Sequence, residues 1–441
     1  MFAIEQLYSI YQQHPVVSTD SRNLPDGCMF FALKGETFDG NEFAVQALDK
    51  GAAYAVIDNP LYQTDERCLL VSDVLEALQQ LARHHRLQFD IPVVAIGGSN
   101  GKTTTKELVS AVLSSHYPCH FTRGNYNNHI GVPLTLLAMP PGTEVAIIEM
   151  GTNQPGDIDQ LCHIALPTHG LITNIGKEHL EGFGSLEGVK RAEKELYDYL
   201  CLNSGCVFVN LSERYLSTMA KHNRMKVGYK MSSGEAVPED GIIEVELLAF
   251  TPFVHAAFVS DEGPRVEIKT RLYGRHNFNN IMTAVALGIY FKTPAQKIRA
   301  ALEQYTPSNN RSQIITFRGA RVLLDAYNAN PSSMRPALES LASMPAKRKI
   351  AILGDMLELG QESDKEHEAI VRLASRKRIH QLILVGPEFG KTSYRDCGAL
   401  HFADNSGAKE WLDRQELNDK TLILIKGSRG IRLETLVLPS Q

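Results

Sequence analysis

The sequence IPVVAIGGSNGKTTTKE, residues 91–107, runs from an apolar stretch through a glycine-rich turn into a segment typical of a helix. A turn of this kind at a helix N-terminus aims backbone N–H groups at phosphate oxygens. Lys102 adds a positive charge, and the hydroxyl of Thr103 can reach a magnesium ion. The residues expected to bind ATP are Gly98, Ser99, Asn100, Gly101, Lys102, Thr103 and Thr104.

This turn departs from the strict Walker pattern, which has glycine where this chain has Ile96. We interpret it as a shorter variant of the phosphate-binding loop. The plain alternative is a tight strand-to-helix turn with an incidental lysine. The order of strand, Gly-Lys-Thr and helix favours ATP binding over that alternative.

Three further apolar runs follow the loop, and each is followed by a helical stretch. They read EVAIIEMG (144–151), HGLITNIG (169–176) and GCVFVN (205–210). Such runs predict the strands of a parallel sheet that is covered by helices on both faces. Residues 228–273 instead alternate in short β-like pieces, which predicts antiparallel strands added to the same domain.

Two more α/β units flank this central one. Residues 2–88 combine short apolar runs with an amphipathic helix from Val74 to Leu87. After a polar stretch from Thr306 to Ser312, strand-like runs recur between helical stretches, which predicts a doubly wound unit. Asn330 is expected to cap a helix that has Pro331 in its first turn.

We therefore predict an α/β protein of three domains. The N-terminal domain comprises residues 1–88, the central domain residues 89–308 and the C-terminal domain residues 309–441. The central domain is predicted to be a P-loop ATPase-like parallel sheet with an added antiparallel portion. The C-terminal domain is predicted to be Rossmann-like and doubly wound.

Composition narrows the class of protein. The formal net charge of −5 provides no broad basic field, which argues against nucleic acid or a membrane surface as a partner. The seven cysteines are scattered without a C-x-x-C pair, which indicates a reducing compartment rather than disulfides or structural zinc. No stretch reaches the roughly 18 apolar residues that a membrane span needs, so we expect a soluble, cytoplasmic protein.

Two side chains near the loop follow consecutive strands. Glu149 ends the strand AIIEMG, and His179 follows the next strand in TNIGKEHLEGFG. Open α/β sheets bind ligands at the carboxyl ends of their strands, so both side chains can reach the crevice beside the loop. A carboxylate and a neutral imidazole are reasonable ligands for magnesium. Taken alone, each residue is more simply a surface carboxylate or a loop histidine.

Other polar segments carry weaker signals. Residues 123–133 and 274–280 are dense in asparagine, and such segments are usually turns or helix caps. In the last third of the chain, several polar residues are expected to be solvated surface unless the domain closes over a nucleotide. These residues are Arg311, Asp325, Asn328, Asn330, Lys426 and Arg429.

Taken together and in this order, the motifs resemble the Mur ligases, and in particular the branch that adds D-alanyl-D-alanine. The resemblance covers essentially the whole chain. The matching segments are GGSNGKTTTKE (97–107), NYNNHIGVPLTLL (125–137), EMGTNQPGDI (149–158), TNIGKEHLEGFGSLEG (173–188), HNFNNIMTA (276–284), DAYNANPSSM (325–334), LGDMLELG (353–360) and IKGSRG (425–430). Several of these, such as DAYNANP, are not generic features of phosphate-binding loops, so the resemblance is specific.

The resemblance implies a domain for the UDP end of the substrate, an ATPase domain and a C-terminal domain that closes over both. It assigns Ser21, Arg22 and the ALKG segment (32–35) to the UDP-sugar region. The residues that it assigns to catalysis are Lys102, Glu149 and His179. The magnesium ligands that it implies are Thr103, Glu149 and His179. The further residues that it places near the nucleotide are Asn128, Asn280, Arg311 and Asp325.

The chain departs from the family at one position. The family usually has a lysine, carbamylated by carbon dioxide, that serves as an anionic magnesium ligand in a segment of the type A-K-G-E. The aligned stretch here has Glu193 at that position and Lys194 one residue later. One residue is about 100° of rotation on a helix, so Lys194 cannot simply substitute. We expect Glu193 to supply the charge and ligate the metal directly, without a carbamate.

The resemblance implies ligation in two steps, with ATP and Mg²⁺ as cofactors and UDP-N-acetylmuramoyl-tripeptide and D-alanyl-D-alanine as substrates. ATP phosphorylates the tripeptide carboxylate, and the dipeptide amine then displaces phosphate. We expect a monomer. The alternatives are a ligase that adds the third amino acid, folylpolyglutamate synthase, and, from a different class, a P-loop kinase or nucleotide-switch protein.

Overall fold

The computed structural model describes residues 2–232, 241–259 and 263–438. Residues 233–240 and 260–262, within the segment predicted to be antiparallel, and the chain ends at 1 and 439–441 lie outside the described residues. The described chain forms three α/β domains, each around its own sheet, as predicted. The boundaries at 88/89 and 308/309 remain predictions.

The N-terminal sheet has four parallel strands in the order β1-β2-β3-β4. The strands are β1 (Val17–Ser18), β2 (Met29–Phe31), β3 (Tyr54–Ile57) and β4 (Cys68–Leu70). The helices are α1 (Ile4–Gln13), α2 (Ala44–Asp49) and α3 (Val74–Arg86). Helix α3 begins where the side chain of Asp73 accepts a hydrogen bond from Glu76 N–H. Leu78 and Leu81 on its buried face pack into a core that continues into the central domain.

The central sheet has nine strands in the order β13-β12-β11-β10-β9-β8-β5-β7-β6. The strands are β5 (Val93–Gly97), β6 (Cys119–Phe121), β7 (Val145–Glu149), β8 (His169–Ile172), β9 (Cys206–Asn210), β10 (Met225–Met231), β11 (Ile242–Ala249), β12 (His255–Phe258) and β13 (Val266–Lys269). The helices are α4 (Lys102–Ser114), α5 (Gly131–Leu137), α6 (Asp157–Ala165), α7 (Leu180–Phe183), α8 (Leu186–Leu202), α9 (Leu216–Met219), α10 (His276–Tyr290) and α11 (Ala295–Gln304).

The prediction of antiparallel strands over residues 228–273 is only partly right. Strand β12 is antiparallel to both of its neighbours, β11 and β13, whereas β10 pairs parallel with both β9 and β11. The physical reason is that alternation of apolar and polar residues reports one exposed face of a sheet and carries no information on strand direction. The fully buried strands β5, β7 and β9 are continuous apolar runs, as expected for a sheet covered on both faces.

The C-terminal sheet has six strands in the order β14-β15-β19-β16-β17-β18. The strands are β14 (Gln313–Phe317), β15 (Ala320–Asp325), β16 (Arg348–Gly354), β17 (Gln381–Val385), β18 (Leu400–Phe402) and β19 (Thr421–Lys426), and the helices are α12 (Pro331–Ser343), α13 (Ser363–Ser375), α14 (Pro387–Gly390) and α15 (Asn405–Asp413). All pairs are parallel except the hairpin of β14 and β15. The cap at Asn330 is confirmed, because its side chain accepts a hydrogen bond from Ser333 N–H.

Across the described ranges, no helix is both long and apolar enough to cross a membrane. All seven cysteines are free thiols. The elements that matter for function are the carboxyl ends of β5, β7 and β8 and those of β15 and β19, because these two edges face one cavity.

Candidate functional site

A cavity of about 730 Å³ lies between the central and C-terminal domains. Most residues predicted to bind nucleotide or metal line it: Ser99, Asn100, Gly101, Lys102, Thr103, Thr104, Asn128, Glu149, His179, Asn280, Arg311 and Asp325. Gly98 and Glu193 are not among the residues that line the cavity, and they contact each other. The structure therefore brings together residues from three segments that are far apart in sequence.

The loop before α4 is shaped by two glycines with left-handed backbone. Gly98 has φ +114°, and a Cβ atom at this position would lie 2.2 Å from Thr173 Oγ1, so no side chain fits. Gly101 has φ +83° and stands at the N-cap position of α4. Ser99 N–H donates to Asn174 O at 2.9 Å, which ties the loop to the segment after β8. The first turn of α4 thus faces the cavity, as an anion-binding loop requires.

Lys102 lies among carboxylates. Its Nζ donates to Gly98 O at 2.5 Å and is 3.7 Å from Glu178 Oε2. Desolvation is the largest influence and lowers the pKa of Lys102, but the charges of Glu178, Glu193 and Glu149 outweigh it, so the pKa is raised overall. Lys102 is therefore a permanent positive charge at the mouth of the loop.

Glu149 is buried at the end of β7 and held by three polar contacts. Its Oε1 accepts hydrogen bonds from Thr103 Oγ1 at 3.0 Å and Asn127 Nδ2 at 2.9 Å, and its N–H donates to Thr122 Oγ1 at 3.0 Å. Its Oε2 is buried without a partner. Asn127 was missed as a functional candidate, because the asparagine-rich segment reads as a simple turn.

Glu193, on α8, reaches under the loop. Gly98 N–H donates to its Oε2 at 2.6 Å, and its Oε1 is buried without a partner. Burial raises the pKa of this carboxyl to about 8, against the opposing charge of Lys102. Lys194 points the other way and pairs with Asp198 at the surface. The helix therefore presents the glutamate, and not the lysine, to the phosphate-binding loop.

The predicted metal ligands are not all gathered at one point. Thr103 and Glu149 are in contact, whereas Glu193 lies beneath Gly98, and His179 Nδ1 lies 2.6 Å from Glu358 Oε2 of the C-terminal domain. Within the part of the chain that the structure describes, no three histidine, cysteine, aspartate or glutamate residues form a metal-binding group.

The chemistry of the donors nevertheless suits magnesium. Glu149 Oε2, Glu178 Oε1 and Glu193 Oε1 are buried oxygens without hydrogen-bond partners, and all three carboxylates lie close enough to influence Lys102. Hard carboxylate oxygens are the ligands that magnesium prefers. Glu178 was not singled out from the sequence, although it adjoins the predicted His179.

Two asparagines predicted near the nucleotide have side chains with structural partners. Asn280, on α10, accepts a hydrogen bond from Thr105 Oγ1 at 3.1 Å and donates to Asn277 Oδ1 at 2.9 Å. Asn128 Oδ1 accepts from Gly131 N–H at 2.8 Å and so holds the start of α5. Both residues also line the cavity, so the capping role and contact with a ligand are compatible.

The C-terminal domain contributes charged side chains to one side of the cavity. Asp325 Oδ2 and Lys426 Nζ, at the ends of β15 and β19, are 2.7 Å apart. Desolvation is the largest influence on Asp325 and raises its pKa, but Lys426 outweighs it, so the pKa is lowered overall. The guanidinium of Arg311 lies 3.6 Å from the ring centroid of Tyr327, in the loop after β15. Tyr327 is a further residue that was not predicted from the sequence to belong to the site.

The two domains touch directly at the loop. Asn330 Nδ2 donates to Asn100 Oδ1 at 2.9 Å, and Lys177 Nζ lies 2.5 Å from Glu366 Oε1. The N–H of Lys177 also donates to Ser332 Oγ at 2.9 Å. These contacts hold α12 against the loop before α4, and they hold α12 and α13 against Lys177 in the segment after β8.

The predicted UDP-site residues lie apart from this cavity. Arg22 is exposed and pairs with Asp20, with Nε 2.8 Å from Oδ1. The carbonyl of Ser21 accepts a hydrogen bond from Lys50 Nζ at 3.0 Å. The structure brings Ser21 and Arg22 next to each other in the N-terminal domain and does not bring them to the nucleotide loop.

Three family models match the chain in order. They are the Mur ligase family catalytic domain at residues 15–86, the Mur ligase middle domain at 96–288 and the Mur ligase glutamate ligase domain at 310–429. Among curated proteins, UDP-N-acetylmuramoyl-tripeptide--D-alanyl-D-alanine ligases of Bacillus subtilis and Escherichia coli are each 34% identical, covering 96% of this chain and 92% of theirs.

Solved structures that resemble this chain belong to the same kind of ligase. MurF from Acinetobacter baumannii superposes with a TM-score of 0.82 at 31% identity, covering 95% of this chain and 92% of that one. The MurF ligase of Thermotoga maritima in complex with ADP has a TM-score of 0.81 at 25% identity, covering 96% of both chains. On these matches and on the loop, cavity and closing domain described above, the chain belongs to the Mur ligase family.

Proposed function

We propose that this chain is an ATP-dependent ligase that joins D-alanyl-D-alanine to UDP-N-acetylmuramoyl-tripeptide. The products are UDP-N-acetylmuramoyl-pentapeptide, ADP and phosphate. The observation that carries the proposal is the cavity in which Lys102 of the loop faces Arg311 and Lys426 of the third domain. Such a cluster of cations around one space suits the transfer of a phosphoryl group.

In the first step, an oxygen of the tripeptide carboxylate attacks the terminal phosphorus of ATP. The bond to ADP breaks, and an acyl phosphate forms. Lys102 stays positively charged next to three carboxyl groups, so it can neutralise charge on the phosphate oxygens without a proton transfer. The protein acts mainly by positioning and by charge, with Lys102, Glu149 and His179 as the proposed catalytic set.

In the second step, the free amine of D-alanyl-D-alanine attacks the carbonyl carbon of the acyl phosphate. The amide bond forms, the amine gives up a proton and inorganic phosphate leaves. The contact of Asn330 with Asn100 closes the third domain on the loop, and closure keeps water away from the reactive acyl phosphate.

The proposal includes Mg²⁺ as a cofactor. Thr103 and Glu149, which are in contact, would hold it, and Glu193 and His179 are proposed as further ligands although they lie apart from that pair. The unpartnered oxygens of the buried glutamates are the observation that supports this assignment. When bound, the ion would neutralise charge on the phosphate oxygens. No carbamate on Lys194 is needed, because Lys194 faces away and pairs with Asp198.

The remaining assignments rest on the resemblance. The residues proposed near the rest of the nucleotide are Gly98, Ser99, Asn100, Gly101, Thr104, Asn128, Asn280, Arg311 and Asp325. Ser21 and Arg22 are proposed to face the UDP end of the precursor, and the domain limits are proposed at 88/89 and 308/309. We further propose a monomer that acts in the cytoplasm.

The alternative ligases are less well supported. A ligase that adds 2,6-diaminopimelate is 16% identical, with a TM-score of 0.54, and a folylpolyglutamate synthase of Mycobacterium tuberculosis is 15% identical, with a TM-score of 0.60. Identities this low indicate a shared fold alone. Nothing in the cavity favours a P-loop kinase or nucleotide-switch protein, which would not require a third domain closed on the loop.

One assay separates these functions. The purified chain is incubated with ATP, Mg²⁺, D-alanyl-D-alanine and UDP-muramoyl-tripeptides that carry either diaminopimelate or lysine, and the products are weighed by mass spectrometry. We expect a pentapeptide product and ADP release that depends on the dipeptide. A Lys102→Met variant is the matched control and should give neither. Dipeptide-independent ADP release by the unmodified chain would refute the proposal.

A further inference from the structure

Tyr327 holds two arginines of the C-terminal domain over one aromatic ring. The guanidinium carbon of Arg311 lies 3.6 Å from the ring centroid, and that of Arg429 lies 5.2 Å from it. Arg311 directly precedes β14, whereas Arg429 follows β19. All three side chains line the nucleotide cavity.

This arrangement needs a physical explanation, because like charges repel. Lys102, Arg311, Lys426 and Arg429 all face the same cavity. Lys426 is neutralised by Asp325 at 2.7 Å, but within the described ranges neither arginine forms an ion pair with a carboxylate. The negative face of an aromatic ring attracts guanidinium groups and so can hold both arginines where no anion does.

Arg311 has a second unusual feature. Its Nε is buried and has no hydrogen-bond partner. Its neighbours Asn310 and Ser312 have left-handed backbone, with φ +56° and +48°. Asparagine tolerates this conformation, but for serine it is strained, and such strain persists where surrounding structure enforces it. Ser312 is fixed from the central domain, since Asn277 Nδ2 donates to its Oγ at 3.2 Å. The backbone thus holds Arg311 toward the ring.

We propose that Tyr327 is a positioning residue that preorganises Arg311 and Arg429 for the phosphate groups of the nucleotide. The inference rests on the proposed function, because it takes ATP to be the ligand of the cavity. The ring attracts both guanidiniums before the nucleotide arrives, so they need not be ordered at each turnover. Arg311 Nε makes no hydrogen bond to a described protein group, so this edge of the guanidinium is not committed to another partner. The hydroxyl of Tyr327 takes no part in positioning the two arginines.

The test compares Tyr327→Leu, which removes the aromatic face, with Tyr327→Phe, which keeps it. Affinities for ADP and for adenosine are measured by calorimetry or competition, and kcat and KM are measured in the ligation assay. Tyr327→Leu should lower ADP affinity and kcat about tenfold, the scale of two lost cation–π contacts. Adenosine affinity and the KM for D-alanyl-D-alanine should not change. Tyr327→Phe should stay within about twofold of the unmodified chain.

Tyr394, also in the C-terminal domain, offers a matched control. Tyr394 also has an arginine near its ring, with Arg395 at 5.5 Å, but does not line the cavity. Tyr394→Leu should leave ADP affinity and kcat unchanged. If Tyr327→Leu fails to fold, Tyr327→Met supplies a second side chain without a ring.

The inference is overturned if Tyr327→Phe is as damaging as Tyr327→Leu, or if Tyr327→Leu weakens adenosine and ADP equally. It is also overturned if Tyr327→Leu has no effect while the unmodified chain binds ADP. If the unmodified chain does not bind ADP at all, the proposed function itself fails, and the two failures are thereby distinguished.

Discussion

Replacement of Glu193 by glutamine removes an ionisable carboxyl group from beneath the nucleotide loop and leaves the shape of the side chain almost unchanged. In the folded chain, Glu193 Oε2 accepts a hydrogen bond from Gly98 N–H at 2.6 Å. The amide oxygen of glutamine can accept the same bond. Glu193→Gln therefore separates the role of the charge from the role of the hydrogen bond.

The expected effect on stability follows from the pKa of this carboxyl. Burial raises it from 4.5 to about 8, so between these values the folded chain holds a proton that the unfolded chain has released. A proton bound only in the folded state makes the free energy of unfolding fall as pH rises through this window. The fall is about 1.4 kcal/mol per pH unit, or about 3 kcal/mol between pH 4.5 and 7.

Glutamine does not titrate, so Glu193→Gln is expected to escape this destabilisation. The variant should be more stable than the unmodified chain by about 3 kcal/mol at pH 7, with the difference shrinking towards zero near pH 4.5. Urea unfolding at pH 5, 6, 7 and 8, without nucleotide or Mg²⁺, measures the difference. In the ligation assay with ATP and Mg²⁺, the same variant should lose about 100-fold in kcat, because the anion is missing.

Lys194→Met is the matched control on the same helix. Lys194 is paired with Asp198 at the surface, so its loss should leave kcat unchanged, with or without added bicarbonate. The reasoning is refuted if Glu193→Gln has the same pH dependence of stability as the unmodified chain. It is also refuted if Lys194→Met abolishes activity, since that would make the lysine the functional group.

Further predictions concern the loop and the contacts between the domains. Lys102→Met should lower kcat by at least about 100-fold in the ligation assay, because it removes the cation whose Nζ lies 2.5 Å from Gly98 O in the loop; near-normal turnover would contradict this. Glu358→Gln should lower kcat/KM by no more than about fivefold, since its contact with His179 is partly exposed; small-angle scattering should then show a more open average shape. Asn330→Ala removes a helix cap and should lower the free energy of unfolding in urea by about 1 kcal/mol.

The nucleotide loop could be predicted from the sequence because its determinants are local. Gly98, Gly101, Lys102 and Thr103 lie within six positions of one another, and their roles depend on a strand before them and a helix after them. The place of Glu149 could be predicted because open α/β sheets bind ligands at the carboxyl ends of their strands. The orientation of Glu193 was also within reach, since the rotation per residue of a helix decides which of two neighbours faces inward.

Contacts between distant segments could not be predicted in this way. The approach of Arg311 and Arg429 to Tyr327, and that of His179 to Glu358, depend on how two separately folded domains dock. Hydrophobic periodicity records which face of an element is buried, but it does not record which element covers that face. The parallel pairing of β10 with β11 escaped prediction for the same reason.

The charges around the loop explain why the site is incomplete without its ligands. Lys102 is surrounded by the carboxyl groups of Glu149, Glu178 and Glu193. Three buried carboxylates so close together would be strongly unfavourable, and Glu193 relieves their mutual repulsion because its raised pKa keeps it protonated at neutral pH. Any cation that enters beside these oxygens favours loss of that proton. An acidic pocket under a phosphate-binding loop is therefore suited to a nucleotide that arrives with metal, and poorly suited to free ATP.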